Sequence, residues 1–280
     1  MKLLRFGEAG QEKPGIIDTD GTIRDVSSLV ADFSPETISP LMLGTLTRAD
    51  FSSLPEVPAD TRLGSPISRT GHFLAIGLNY ADHAAESGMP IPAEPIIFSK
   101  APNSLSGPND DVIIPRGSVK SDWEVELAIV IGERCHYVEE DQALSMILGY
   151  ALCNDVSERE FQAERGGQWI KGKSAPTFGP LGPWLVTRDE IDDPQNLDMF
   201  LDVNGERCQT GNTKTMIFTV AHIVSYVSQF MALEPGDIIT TGTPPGVGMG
   251  MKPQRFLKAG DEMRLGIAGL GEQRQKVVAA

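Results

Sequence analysis

The segment Trp123–Ile131 reads W-E-V-E-L-A-I-V-I. Side chains alternate along a strand, so Glu124 and Glu126 share one side with Ala128 and Val130, while Val125, Leu127, Ile129 and Ile131 cover the other. Two carboxylates on one face of an apolar strand repel each other when ionised and lose hydration when buried. A divalent cation relieves both penalties. A third acid, Asp155, ends the apolar run Ile147–Asn154. Three carboxylates without His or Cys beside them are hard oxygen donors, suited to Mg²⁺, with Mn²⁺ or Ca²⁺ as competitors. Octahedral Mg²⁺ would keep about three positions for water and substrate. The competing reading of the same spacing is a solvated edge strand whose acids pair with lysines.

The segment G-L-N-Y-A-D-H-A-A-E, residues 77–86, supplies a second candidate group. Asn79 has the residue type of an N-cap. His83 and Glu86 are three apart and share a helical face, so Glu86 could orient an imidazole acting as general base toward water. The other histidines, His72, His136 and His222, read as lacking such a partner. Arg159 and Gln162 follow Asp155 closely, Lys173 lies in GGQWIKGKSAPTFGP, and Thr243 in TTGTPPGVG. These loops offer the cationic, amide and hydroxyl donors that an anionic substrate needs in an acidic protein. GQWIKGKS (167–174) matches the phosphate-loop pattern letter for letter, but no apolar strand precedes it and Pro176 leaves no helix to receive a phosphate.

The elements that must position these groups read as mostly β. The chain has 280 residues and a formal charge of −14, with 40% hydrophobic residues, a globular balance. Its 29 glycines and 20 prolines are spread without a low-complexity tract, so they mark turns. Residues 1–66 read as a small β-meander, a short helix and an irregular connection; residues 67–280 form the main domain. Within it, Phe73–Leu78, 123–131, 147–154, 237–241 and 262–267 read as strands. Asn204-Gly205 marks a hairpin turn, and a helix follows Thr219. The acidic charge argues against nucleic acid and anionic membranes. No apolar run of about 18 residues is present, the N-terminus lacks a signal-peptide core, and three sparse cysteines point to a reducing cytoplasm with free thiols.

Taken together, GLNYADHAAE, EPIIFSK (94–100), DWEVELAIVIG (122–132), GYALCNDVSERE (149–160), GKSAPTFGP (172–180), GPWLVT (182–187), TKTMIF (213–218) and PGDIITTGTPPGVG (235–248) resemble the fumarylacetoacetate hydrolase family in its short bacterial form. The resemblance implies an α+β, predominantly β chain: a mixed β-sandwich roll of the family's C-terminal type behind a small N-terminal β-rich domain, in a cytoplasmic homodimer. It implies Glu124, Glu126 and Asp155 as ligands of Mg²⁺, or Mn²⁺. His83 and Glu86 become the water-activating pair on a segment able to order as a lid, with Lys173 beside them as a catalytic group. Arg159, Gln162, Thr243 and Lys100 match substrate-contacting positions. Pro176 stands where many members carry Asp. The implied reaction is hydrolysis of a C–C bond in a 2,4-dioxo acid through a metal-stabilised pyruvate enolate. The stretches SEREFQAERGGQWIKGK and TTGTPPGVGMGMKP look closest to members acting on 2,4-diketo-3-deoxy sugar acids such as those from L-rhamnonate and L-fuconate, which release pyruvate and lactate. Oxaloacetate decarboxylation, ureidoglycolate lyase or isomerase action, and non-catalytic binding of a sugar acid are the alternatives.

Overall fold

The computed structural model describes residues 1–86, 88 and 90–280, except for the side chains of His83 and Ala85. Strand dominates, as the turn-rich composition predicts. Strand Val125–Ile131 lies near the middle of an eleven-stranded mixed sheet, between Ile147–Asn154 and Ile238–Thr240. Beyond Ile238–Thr240 come Phe73–Gly77, paired parallel, and Ile96–Lys100. A strand with neighbours on both edges and cover on both faces has every residue buried. Its alternate residues feed two cores. Leu127, Ile129 and Ile131 pack with Leu201, Leu265 and others from a second, five-stranded sheet, while Ala128 and Val130 pack with Leu3, Ile16 and Phe33 from the N-terminal segment.

The first segment joins the main sheet directly. Lys2–Phe6 pairs antiparallel with Leu185–Thr187, Lys2 against Val186 and Leu3 against Leu185, so the sheet runs unbroken across the position-66 boundary. In the second sheet, Asp198–Val203 and Glu206–Asn212 form the expected hairpin. Asn204 and Gly205 have φ of 53° and 78°, the paired positive values of a type I′ turn. Thr219 caps helix Val220–Ser228 by accepting from the His222 amide at 3.2 Å, and Val220, Ile223, Val224 and Val227 are buried. The helix stops at Ser228, so Phe230, expected on the same apolar face, is left 62% exposed.

Local readings differ at a few places. Val125, not Trp123, begins the long strand. Asn79 caps no helix: it is fully buried, its carboxamide donating to the carbonyls of Phe218 and Thr241 and accepting from the Phe218 amide. An isolated β-bridge between Tyr80 and Met216 brings these segments together, so the amide cross-links them instead. His72 does have a carboxylate partner, Asp237 at 2.8 Å, and His222 has Glu140 at 3.1 Å. Both partners come from distant sequence, which spacing cannot reveal. One helical turn, Ile170–Lys173, does occur in the phosphate-loop-like stretch, but it holds only four residues.

Candidate metal and substrate site

Antiparallel register builds the site. Val125 pairs with Asn154, which sets Glu124 across from Asp155, and the Asp155 amide donates to the Glu124 carbonyl at 2.9 Å. Glu126 is one strand step further on the same side as Glu124. One ligand oxygen from each of Glu124, Glu126 and Asp155 lies within 4.8 Å of the other two, and all three residues are buried. The solvated-edge reading of Glu124 and Glu126 therefore fails: the strand is central and its acids face inward.

Buried cations surround the acids. Lys173 Nζ donates to Glu124 Oε2 at 2.6 Å and to Asp155 Oδ2 at 2.7 Å. Lys100 Nζ donates to the other Asp155 oxygen and, at 3.3 Å, to the Val156 carbonyl. An Arg159 nitrogen, Nη2, lies 2.7 Å from Glu124 Oε1, and Nη1 donates to Gln162 Oε1 at 3.2 Å. Burial opposes the charge on Lys173, but Asp155 and Glu124 outweigh it and hold the ammonium above its ordinary range. The same balance, set by Glu124 and Asp122, raises Arg159. Glu126 has the opposite fate. Desolvation, then the charges of Asp155 and Glu124, push its carboxyl well above 4.5, offset in part by Lys173 and by the Gly242 amide donating at 2.9 Å. An acid cluster that still contains a carboxyl this costly to ionise, with hard donors converging on one point, fits a divalent cation.

A cavity of about 260 Å³ opens onto this cluster. Glu124, Glu126, Arg159, Gln162, Lys173 and Thr243 line it, so the fold brings together six of the ten residues singled out from sequence. Thr243 is held in place by donating to the Val125 carbonyl and accepting from Gln209 Nε2. Asp155 completes the acid triad just behind the wall. Lys100 does not reach the cavity lining; it lies 1% exposed behind Asp155. Glu86 sits exposed in helix Ala81–Glu86, where both carboxylate oxygens accept from the Gly246 amide at 3.1 Å. His83 falls in the same helix, but its side chain lies outside the described residues, so the expected His83–Glu86 pairing does too. Pro176 is exposed.

Sequence reading missed Asp122. It is fully buried, accepting from the amides of Trp123, Gly248 and Met249 and from Arg159 Nε at 2.9 Å. It thus ties the 246–250 loop to the arginine that faces Glu124. Its position two residues before Glu124 continues the i, i+2 series of acids, a signal that was there to be used.

The profile of the fumarylacetoacetate hydrolase C-terminal domain matches residues 72–278. A protein from Burkholderia ambifaria, whose name says only that it is a candidate hydrolase, is 59% identical over 276 residues, covering 98% of each chain. Among solved structures, maleylpyruvate hydrolase from Sphingobium sp. SYK-6, in complex with manganese(II) ion and pyruvate, aligns over 100% of both chains at 30% identity with a TM-score of 0.83. The 2-hydroxyhepta-2,4-diene-1,7-dioate isomerase from Mycobacterium marinum aligns over 100% of this chain and 98% of its own, at 34% identity with a TM-score of 0.79.

Proposed function

The chain belongs to the fumarylacetoacetate hydrolase family, and on that premise we propose that it is a metal-dependent hydrolase cleaving a C–C bond in 2,4-dioxo acids of the acylpyruvate type. The observation that carries this reading is the meeting of three buried carboxylates on one point, with Arg159 and Lys173 beside them, at a cavity large enough for a small acid. The pyruvate and manganese held by the Sphingobium relative support it. Glu124, Glu126 and Asp155 would hold Mg²⁺ or Mn²⁺, which supplies Lewis acidity toward the 1,2-oxo acid end of the substrate.

The chain's own groups do the rest. Arg159 and Lys173 bind and orient the substrate carboxylate, and the Gln162 carboxamide and Thr243 fix its tilt. His83, oriented by Glu86, takes a proton from the water that attacks C4. The C3–C4 bond breaks, C4 leaves as a carboxylic acid, and C3 takes a proton to give pyruvate. Water and dioxo acid are thereby converted to two acids with no redox partner. The homodimer and the cytoplasmic setting belong to this proposal; among the described residues, no helix is long and apolar enough to cross a membrane.

Incubation with Mg²⁺ and acylpyruvates should bleach the enol absorbance and yield stoichiometric pyruvate, and EDTA should stop it. Absence of turnover with every diketo acid, while ligands still raise the melting temperature, would leave only a binding protein. The isomerase relative favours a second reading; chromatographic recovery of an isomer in place of pyruvate would establish it. A His83→Gln variant should lose diketone hydrolysis far more than oxaloacetate decarboxylation, because only hydrolysis needs an attacking water.

A further inference from the structure

Beyond the groups that serve the metal and the carboxylate, the cavity wall is built from Ile76, Leu78, Phe98, Ala163, Trp169 and Met249. Among the described lining residues outside the polar cluster, none offers a side-chain hydroxyl, carboxamide or charge, and the Trp169 indole N–H is the one polar side-chain group. Two features show that this wall is constructed. The Trp169 ring meets Phe98 edge-on at 5.2 Å and lies against Gly77, where an added Cβ would stand 2.7 Å from a ring carbon. Glycine is therefore what lets the indole close the cavity on that side. Next to it, Leu78 has φ 53°, a left-handed backbone that costs a residue with a side chain on the order of 1–3 kcal/mol. Such strain concentrates where a side chain must be aimed at a ligand.

We propose that the acyl arm of the substrate, the part beyond C4, is an apolar alkyl or aryl group seated against Trp169 and Phe98, in place of the hydroxylated deoxy-sugar chain expected from sequence. This rests on the acylpyruvate reading and sharpens it. A hydroxyl placed on this wall gives up hydrogen bonds to water and finds, among the described lining side chains outside the polar cluster, only the Trp169 indole N–H to accept from and nothing to donate to. An apolar group of the same length gains from leaving water.

The test compares 2,4-dioxohexanoate with its 5-hydroxy derivative, and 2,4-dioxopentanoate with 2,4-dioxo-4-phenylbutanoate. Each is measured in Mg²⁺ for kcat/KM and, by calorimetry, for binding. The hexanoate should exceed its 5-hydroxy form by about tenfold or more in kcat/KM, within the range that one buried polar group commands. The phenyl-to-methyl preference should fall about tenfold in Trp169→Ala, and also in Gly77→Ala, which displaces the indole without removing it. Equal or better use of the hydroxylated acid, or an unchanged preference in both variants, overturns the proposal. If nothing turns over but calorimetry keeps the same ranking, the apolar arm stands and the hydrolase reading falls. If the hydroxylated acid turns over best, the reverse holds.

Discussion

At the residue scale, the site is an unequal sharing of buried charge. Glu126 bears a heavy burden, because its carboxylate is desolvated beside two other acids. A carboxyl raised in the fold contributes stability that is complete below its ordinary 4.5 and is lost as pH rises through the raised value. Protein stripped with EDTA should therefore lose melting temperature as pH rises from the acid side. Glu126→Gln should flatten that slope and abolish the upward shift caused by Mg²⁺; a slope as steep as the parent's in scanning calorimetry would contradict the account. Asp122 makes a different prediction. Its bond to Arg159 is charge-assisted and buried, worth roughly 1.5–3 kcal/mol. Asp122→Asn should raise KM by about tenfold or more, while calorimetric Mg²⁺ affinity stays near the parent value, since Glu124, Glu126 and Asp155 remain. A drop in metal affinity equal to the rise in KM would make Asp122 a mere prop for the triad. Lys100 holds Asp155 Oδ1 in a fully buried pair; Asp155 keeps Lys173 when that pair is broken, so the loss is that of a buried charged hydrogen bond, about 1.5–3 kcal/mol. Lys100→Met is expected to show that loss in denaturant melts.

At the element scale, the most legible pieces were those whose local signals agreed. Ile147–Asn154 emerged with its expected bounds because eight consecutive buried residues admit no polar face. The 204–205 hairpin emerged because Asn-Gly favours positive φ at both turn positions. The helix after Thr219 starts where its cap predicts. Thr219→Ala should cost about 1 kcal/mol, a few degrees of melting temperature in a chain this size, with kcat unchanged. The less legible pieces were those whose fate depended on partners. Asn79 looked like a cap because its local sequence resembles one, yet the chain at 218 and 241 offered it three hydrogen bonds, and those won.

On the scale of the whole molecule, the N-terminal segment is the outer part of the catalytic sheet. Leu3, Ile16, Phe33 and Leu46 share one core with Ala128, Val130 and Leu148. Removing residues 1–66 would expose that face and the edge of Leu185–Thr187. The truncated chain should aggregate or bind hydrophobic dyes. A monodisperse, active 67–280 fragment would show that the two parts fold independently.

Much of the chemistry was legible before any fold. The alternation of Glu124 and Glu126, the Asp155 that closes an apolar strand, and the donors at 159, 162, 173 and 243 are properties of residue type and order. The shared face of Glu124 and Glu126 follows from the strand period of two, which the covalent chain dictates, whereas the donors at 159, 162, 173 and 243 were singled out by residue type and by the family resemblance of their motifs. Tertiary structure alone decided which of these groups share one cavity, that Lys100 stands behind Asp155 and not at the cavity wall, that Asp122 holds Arg159, and that Trp169 closes over Gly77. Those are contacts between residues far apart in sequence, made by strand register and packing, and no local period encodes them.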